Sequence, residues 1–410
     1  VTTRQVLISA YACAPGHGSE AEGGWNWVRW TAEAGHAVTV LTQPQFAGPL
    51  RHAVGGAVRV EVAKPAAWAS VVRGHPRVYA DYLAWQASSA ELARRLTTSA
   101  TFDLVHHVSW GSLIWGTPLH HLDVPLVFGP VGGGQVAPPA FKAYFGDSWA
   151  KEALRTLLVT RALPRNPRTR ATLRGAAVVA VTNAATERAV RSIGAPQVLQ
   201  MLDTGLSPGD EAEPPGPTSR PPGRMELLWI GRLLPIKALP LALEAVAAAA
   251  RTAEVRLTVA GGGPQAHDVE AWTRRLGLQD RVSLLGHVPH EQIRPLLRRC
   301  DALLFTSLRE SFGAQILEAA AQARPAVSLD LHGVGTHLPH TAGYLVPATD
   351  RRTTVAALAA AIVTAALDPT ERARRGRAAR RWALQQRWPA RVEAIHRALG
   401  NPTRPTGAAL

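Results

Sequence analysis

The stretch LLFTSLRESFGAQILEAAAQAR, Leu303 to Arg324, decides how its half of the chain is read. The apolar run Ala302 to Phe305 has the length and composition of a short buried strand. A polar loop carries Glu310, Ser311, Phe312 and Gly313. The spacing beyond it predicts a helix from Ala314 to Ala323, with Glu318 in its early turns. Glu310 and Glu318 are eight positions apart, about 12 Å at helical rise. That is roughly the span from a sugar to the ribose of a nucleotide sugar. The helix N-terminus between the two acids offers free N–H groups and a positive dipole end, which suit a diphosphate.

Working outward, the same strand–loop–helix pattern recurs. Glu226 to Ile230 leads into GRLLPIK and a helix. Val255 to Ala260 leads into GGGP, and Val282 to Leu285 into GHVPH. Ala326 to Asp330 and Gly343 to Val346 add strands, and His332, Gly333 and Gly335 occupy a loop between them. The N-terminal half repeats the scheme. Gln5 to Ala10 is a strand followed by a Gly-rich loop with Glu20, Gly23 and Gly24. Leu104 to Val108 ends at His106, His107, Ser109 and Trp110. Pro125 to Phe128 runs into GPVGGGQ, which includes Gly133. Strands alternating with helices predict parallel α/β sheets. The segment SPGDEAEPPGPTSRPPG, 207–223, has linker composition. The expected domains are therefore an acceptor-side domain over 1–206, a linker over 207–224, a second α/β domain over 225–386, and a C-terminal helix and tail over 387–410. The helix is a candidate to pack back on the first domain. Open α/β sheets bind ligands beyond the carboxyl ends of their strands, so two such halves imply a cleft lined by these loops.

Composition narrows the function classes. The 410 residues are 46% hydrophobic, enough for real cores, with a net charge of +15. The charge is mostly arginine and spread over both halves. No basic run interleaved with aromatics, zinc spacing or helix-turn-helix pattern is present, which excludes nucleic acid as the expected partner. The two cysteines, Cys13 and Cys300, fit no metal or disulfide pattern. No leader-like N-terminus and no long apolar run appears, so a cytoplasmic location is expected. The stretch Arg155 to Arg174 has no acid after Arg155 and is a candidate for contact with anionic lipid.

At ESFGAQILEA, GRLLPIK, AGGGP and LGHVPH, with matching order and spacing, the chain resembles the GT-B-fold glycosyltransferases of family 4. These are retaining enzymes with nucleotide-sugar donors and an E-x7-E signature. The resemblance implies that Glu310 contacts donor-sugar hydroxyls and Glu318 the ribose. It places Arg232 and Lys237 on the diphosphate, Gly24 beside it, and Gly286 and Val288 at the nucleobase through backbone groups. Backbone groups at Phe312, Gly313 and Ala314 would meet sugar and phosphate. Many relatives have H-x-H where this chain has HHVSW, so the histidine near the reacting carbon falls on His107 or His106, with His107 favoured. Glu20, Ser109, Trp110 and Gly133 are acceptor candidates. Many relatives also carry an acidic turn where His332 and Gly333 stand, and that acid is missing here.

Independently of the resemblance, two cations at a helix start are opposed by the dipole unless an anion binds there. Two cations aimed at a departing diphosphate would stabilise its developing charge without a metal. No acidic pair of the metal-binding kind follows a strand, and no cofactor is expected. The reading is a metal-independent transferase moving a sugar from a nucleoside-diphosphate sugar to a small-molecule acceptor, as in natural-product biosynthesis. The alternative acceptor is a lipid-linked or cell-surface glycan. A nicotinamide-dependent oxidoreductase is disfavoured, because G-x-G-x-x-G with a ribose-binding acid is missing. A non-catalytic sugar-nucleotide binder is disfavoured by the intact pairs Glu310/Glu318 and Arg232/Lys237. Trp25, Trp27, Trp30, Trp110 and Trp115 sit in or beside the loops and serve either core packing or sugar stacking.

Overall fold

A computed structural model describes residues 3–74, 77–108, 110, 113–207, 209, 214, 216 and 220–400. The chain forms two compact units, each visited more than once. The first contains Val1–Gly134, Leu158–Thr204 and Trp388–Leu410. The second contains Gln135–Leu157 and Gly205–Arg387.

In chain order the strands and helices are β1 (Gln5–Ser9), α1 (Ser19–Glu33), β2 (Ala37–Thr42), α2 (Pro44–Val54), β3 (Val58–Val62), α3 (Arg77–Ser99), β4 (Leu104–His107), β5 (Leu126–Val131), α4 (Trp149–Leu157), α5 (Pro167–Gly175), β6 (Val178–Val181), α6 (Ala184–Ile193) and β7 (Val198–Gln200). They continue with β8 (Arg224–Ile230), α7 (Leu239–Ala249), β9 (Glu254–Ala260), α8 (Val269–Arg275), β10 (Val282–Gly286), α9 (His290–Arg299), β11 (Ala302–Phe305), α10 (Ala314–Ala321), β12 (Ala326–Asp330), α11 (His332–His337), β13 (Gly343–Pro347), α12 (Arg351–Leu367), α13 (Pro369–Ala383) and α14 (Trp388–Ala398).

The first unit has a parallel sheet in the order β3-β2-β1-β4-β5-β6-β7. The second has a parallel sheet in the order β10-β9-β8-β11-β12-β13. Every residue of β6 and β11 is buried, as near-continuous apolar runs covered on both faces require, and β4 is buried throughout although it ends in His106 and His107. In each sheet the strand order reverses beside the first strand, between β1 and β4 and between β8 and β11. Loops leaving the carboxyl ends of those pairs meet each other there. The α/β, doubly wound expectation therefore holds for both units.

The expected boundary of the first domain over 1–206 needs amendment, because packing overrides chain order. Phe141 and Tyr144 are buried in the same core as β8, β9 and α7, and the Tyr144 hydroxyl donates to Glu244 at 2.7 Å. The segment Gln135–Leu157 is thus a strap belonging to the second unit. As the sequence reading offered, α14 packs back on the first unit, where Trp388, Val392 and Ile395 join its core and Trp388 packs edge-on against Trp27 at 5.4 Å. Much of the expected linker, residues 208, 210–213, 215 and 217–219, lies outside the described residues.

Candidate functional site

Adjacency of β8 and β11 brings GRLLPIK against TSLRESFG. The Thr306 hydroxyl lies 3.1 Å from the carbonyl oxygens of Lys237 and Ala238, and accepts the Trp229 indole N–H at 3.2 Å. Leu308 N–H donates to the Ile236 carbonyl at 2.8 Å, and the Ser307 hydroxyl reaches the same oxygen at 3.3 Å. Ala238 adopts the left-handed conformation, φ 48°, which turns the chain from Pro235–Lys237 into α7. This stitching sets Lys237 Nζ in an ion pair with Glu310 Oε2. The Ser307 hydroxyl donates to the same carboxylate oxygen at 3.4 Å. Arg232, from the start of the first loop, is exposed and makes no side-chain hydrogen bond or ion pair among the described residues.

The neighbouring loops close on the same end of the sheet. Gly261 N–H donates to the Gly286 carbonyl at 2.7 Å, and Leu233 N–H to the Gly262 carbonyl at 2.9 Å. Gly286 is exposed and Val288 half-buried. Across β11, Gly313 precedes α10 with φ 103°, and a Cβ there would press into the Phe305 ring at 2.6 Å. Phe312 is fully buried against His337 and Trp382, so only its backbone can reach a ligand. Glu318, half-buried on α10, holds one carboxylate oxygen 3.1 Å from His290 Nε2. The loop read around His332 is instead the short helix α11. A Cβ on Gly333 would overlap the Ser311 carbonyl oxygen, so glycine there lets α11 support the Glu310 loop. Burial pushes the His332 imidazole down to about 4.

The second unit thus collects Arg232, Lys237, Glu310 and Gly313 on loops, and Ala314 and Glu318 on the helix α10 that follows them. Sequence reading missed the strap. Gln135 Nε2 donates to the Ser311 hydroxyl at 3.3 Å. Glu152, 5% exposed, pairs with Arg309 at 2.7 Å and lies 3.9 Å from Arg155. No sequence signal marks Glu152, whereas Arg309 is flagged only by standing next to Glu310. Among the described residues, no group of three or more His, Cys, Asp or Glu side chains is placed to hold a metal ion.

The first unit shows a parallel arrangement at its own strand reversal. Glu20, early in α1, accepts the Trp110 backbone N–H at 2.6 Å, joining the loops after β1 and β4. Surrounding protein raises the Glu20 carboxyl, although the side chain keeps solvent contact. Gly24 is buried in α1, and a Cβ would overlap the Ala12 carbonyl oxygen. Close packing alone requires glycine at that position. Gly133 has φ 115°. Ser109 lies outside the described residues.

The histidines are not presented to solvent. His106 is 2% exposed, with Nε2 2.7 Å from the Gly129 carbonyl. His107 is 1% exposed, with Nδ1 3.0 Å from the Ser9 hydroxyl and Nε2 3.1 Å from the Tyr82 hydroxyl. Burial lowers them to about 4 and about 3. Both ring nitrogens of His107 are thus engaged by protein hydroxyls in this conformation. Trp27 and Trp30 are core residues, while Trp110 stacks on Tyr82 at 4.5 Å. Several arginines of Arg155 to Arg174 are tied inward. Arg155 and Arg174 donate to backbone carbonyls at 3.0 and 3.1 Å, and Arg168 donates to Gln86.

Comparison with known proteins fits this geometry. Residues 224–368 match the model of the Glycosyl transferases group 1 family. The GPI3 subunit of phosphatidylinositol N-acetylglucosaminyltransferase from Saccharomyces cerevisiae is 32% identical over 169 residues, 40% of this chain and 37% of that protein. Glycogen synthase from Mycobacterium tuberculosis is 35% identical over 174 residues, 42% of this chain and 41% of that protein. The chain therefore spans about two fifths of the length of these curated relatives. Among solved structures, the apo form of the lipopolysaccharide outer core galactosyltransferase WaaB superposes with a TM-score of 0.67 at 13% identity, covering 96% of this chain and 99% of that one. The chain has the GT-B fold, with two Rossmann-like doubly wound units, and its second unit carries the segment that matches the group 1 glycosyltransferase model.

Proposed function

We propose that the protein is a retaining glycosyltransferase that moves a sugar from a nucleoside-diphosphate sugar to a lipid-linked or cell-surface glycan acceptor. The observation that carries this reading is the Lys237–Glu310 pair at the strand reversal of the second unit, with exposed Arg232 on the same loop. A cation and a carboxylate held together, beside a helix N-terminus, match a ligand that joins a polyol to a diphosphate. In this reading Arg232, Lys237 and the start of α10 take the diphosphate, and Glu310 takes sugar hydroxyls. Glu318 takes the ribose, and backbone groups at Gly286 and Val288 take the base. As the glycosidic bond breaks, the diphosphate gains charge. Fixed cations and N–H dipoles stabilise that charge without reorganising, so the step needs no metal.

The acceptor class follows the relatives. The yeast relative is named for phosphatidylinositol and the structural neighbour for lipopolysaccharide. These names support a lipid-linked or cell-surface acceptor better than the small-molecule one expected from sequence. Among the described residues no single helix is long and apolar enough to cross a membrane.

The test has two steps. A thermal-shift panel of UDP, GDP, ADP and TDP should raise the melting temperature with one base preferred, and Glu318→Ala should blunt that rise. The matching labelled glucose nucleotide is then incubated with total lipid extract or with an aqueous metabolite extract. Label moving into the organic phase supports the lipid reading. Label confined to aqueous products overturns it, and no stabilisation by any nucleotide overturns the donor site itself.

A further inference from the structure

Glu310 is the middle residue of a three-residue run whose two flanking side chains are both gripped by the strap. On one side, Arg309 pairs with Glu152 at 2.7 Å. On the other, Ser311 accepts from Gln135 at 3.3 Å. Glu310 itself turns to other partners, Lys237 and Ser307. Holding the side chains of residues 309 and 311 restrains the backbone that carries residue 310 between them.

Glu152 Oε1 and Arg309 Nε lie at ion-pair distance without hydrogen-bond alignment, so the hold on Arg309 is one of charge. Glu152 is buried on α4, and its unit-mates Phe141 and Tyr144 anchor the strap in the core. Gln135 is also buried, and its carbonyl accepts from Arg155 at 3.0 Å. Arg155 is the only other cation paired with Glu152 among the described residues, at the longer distance of 3.9 Å. The two guanidiniums repel each other, and Arg155 is pulled down to about 10 by burial and by Arg309. Glu152 therefore separates as well as holds the two cations. Without its charge, Arg309 has no carboxylate to hold it beside Glu310.

We propose that Glu152 is a positioning residue for the donor sugar, acting through Arg309 to aim the Glu310 carboxylate. This inference rests on the donor-site reading above and deepens it by assigning a role to a residue from the N-terminal half of the sequence. The strap acts on the sugar end of the ligand. The nucleotide end, with Glu318, lies a helix turn or more away on α10 and is untouched.

The test separates the two ends. UDP and UDP-glucose, or the base pair selected by the nucleotide panel, are titrated by calorimetry into wild type, Glu152→Gln and Arg309→Met, and donor hydrolysis is followed alongside. The expected result is nucleoside-diphosphate affinity within about twofold of wild type, with kcat/KM for the nucleotide sugar lowered about tenfold or more. The double variant should lose little beyond either single variant, because the two residues act in one chain of contacts. Glu152→Asp should recover part of the activity. Arg309 is partly exposed, so Arg309→Met keeps the test valid if Glu152→Gln fails to fold. Unchanged nucleotide-sugar kinetics in a folded Arg309→Met overturn the proposal. Parallel loss of nucleotide and nucleotide-sugar binding makes Glu152 merely structural and also overturns it. Failure of wild type to bind any nucleotide overturns the donor reading and this inference together.

Discussion

Lys237 and Glu310 form an ion pair although 73 residues separate them, because β8 and β11 are neighbours in the sheet and their loops share the Ile236 carbonyl. The pair is part-buried, so removing either side chain leaves the other without this partner. Lys237→Met should lower kcat/KM for the nucleotide sugar by about 100-fold, the scale of losing a preorganised electrostatic contact to a leaving group. Glu310→Gln should lower it comparably while leaving nucleoside-diphosphate affinity nearly unchanged. A double-mutant cycle on sugar transfer should show coupling. Strict additivity would mean that the two side chains act independently.

Glycines around the site divide by their surroundings. At Gly333 a Cβ would overlap the Ser311 carbonyl oxygen, while at Gly286, φ 67°, nothing lies within 4 Å. Gly333→Ala must push α11 away from the Glu310 loop and should cost about 2–4 kcal/mol, with loss of donor binding. Gly286→Ala meets only the left-handed backbone penalty of about 1 kcal/mol. Chemical denaturation of the two variants measures the difference, and equal costs would contradict the close approach of α11.

Acid should destabilise the first unit before it reaches the carboxylate range. His106 and His107 are held near 4 and 3, against 6.5 when unfolded, chiefly by burial. The unfolded chain therefore binds protons that the native state refuses, so stability is full above about pH 6.5. It falls as pH drops toward 4, by on the order of a few kcal/mol for such a buried group. His396, stacked on His36 at 4.0 Å and lowered to about 3 mainly by burial, adds to the same trend. Urea midpoints at pH 7.5, 6 and 5 should decline in step, and His107→Gln should flatten the decline. A midpoint constant over this range would show that these rings titrate normally.

A charge network lies at the opposite, N-terminal end of β11. Asp301 is fully buried, accepts the Glu226 N–H at 2.7 Å, and pairs with Arg220 at 3.2 Å and Arg372 at 3.4 Å. Asp301→Ala leaves buried Arg372 without this carboxylate and should cost about 3–5 kcal/mol. Below the lowered melting temperature, nucleotide affinity should stay at the wild-type value. Thermal melts with and without nucleotide read both quantities, and a selective loss of nucleotide binding would contradict a purely structural role.

The sequence by itself determined most of the alternation of strands and helices, the repetition of two doubly wound halves, and the Gly-rich and charged loops that follow the strands. Strand periodicity, glycine placement and the eight-residue interval from Glu310 to Glu318 are local, so they can be read without knowing what packs where. The tertiary structure alone decided which unit each segment joins and which side chains meet. The strap Gln135–Leu157 precedes β6 in the chain, yet its aromatic side chains complete the core beneath β8 and β9. His107 has a local pattern that suits catalysis, but Ser9 and Tyr82, far away in sequence, occupy both its nitrogens. Gly24 looks like a phosphate-loop glycine and is required by the Ala12 carbonyl. Glu152 has no motif around it, and its significance exists only through Arg309. Each of these depends on contacts between residues distant in the chain, which carry no periodic or local trace. The loops at the carboxyl ends of the second sheet were therefore legible in advance, and the strap that holds Arg309 and Ser311 was not.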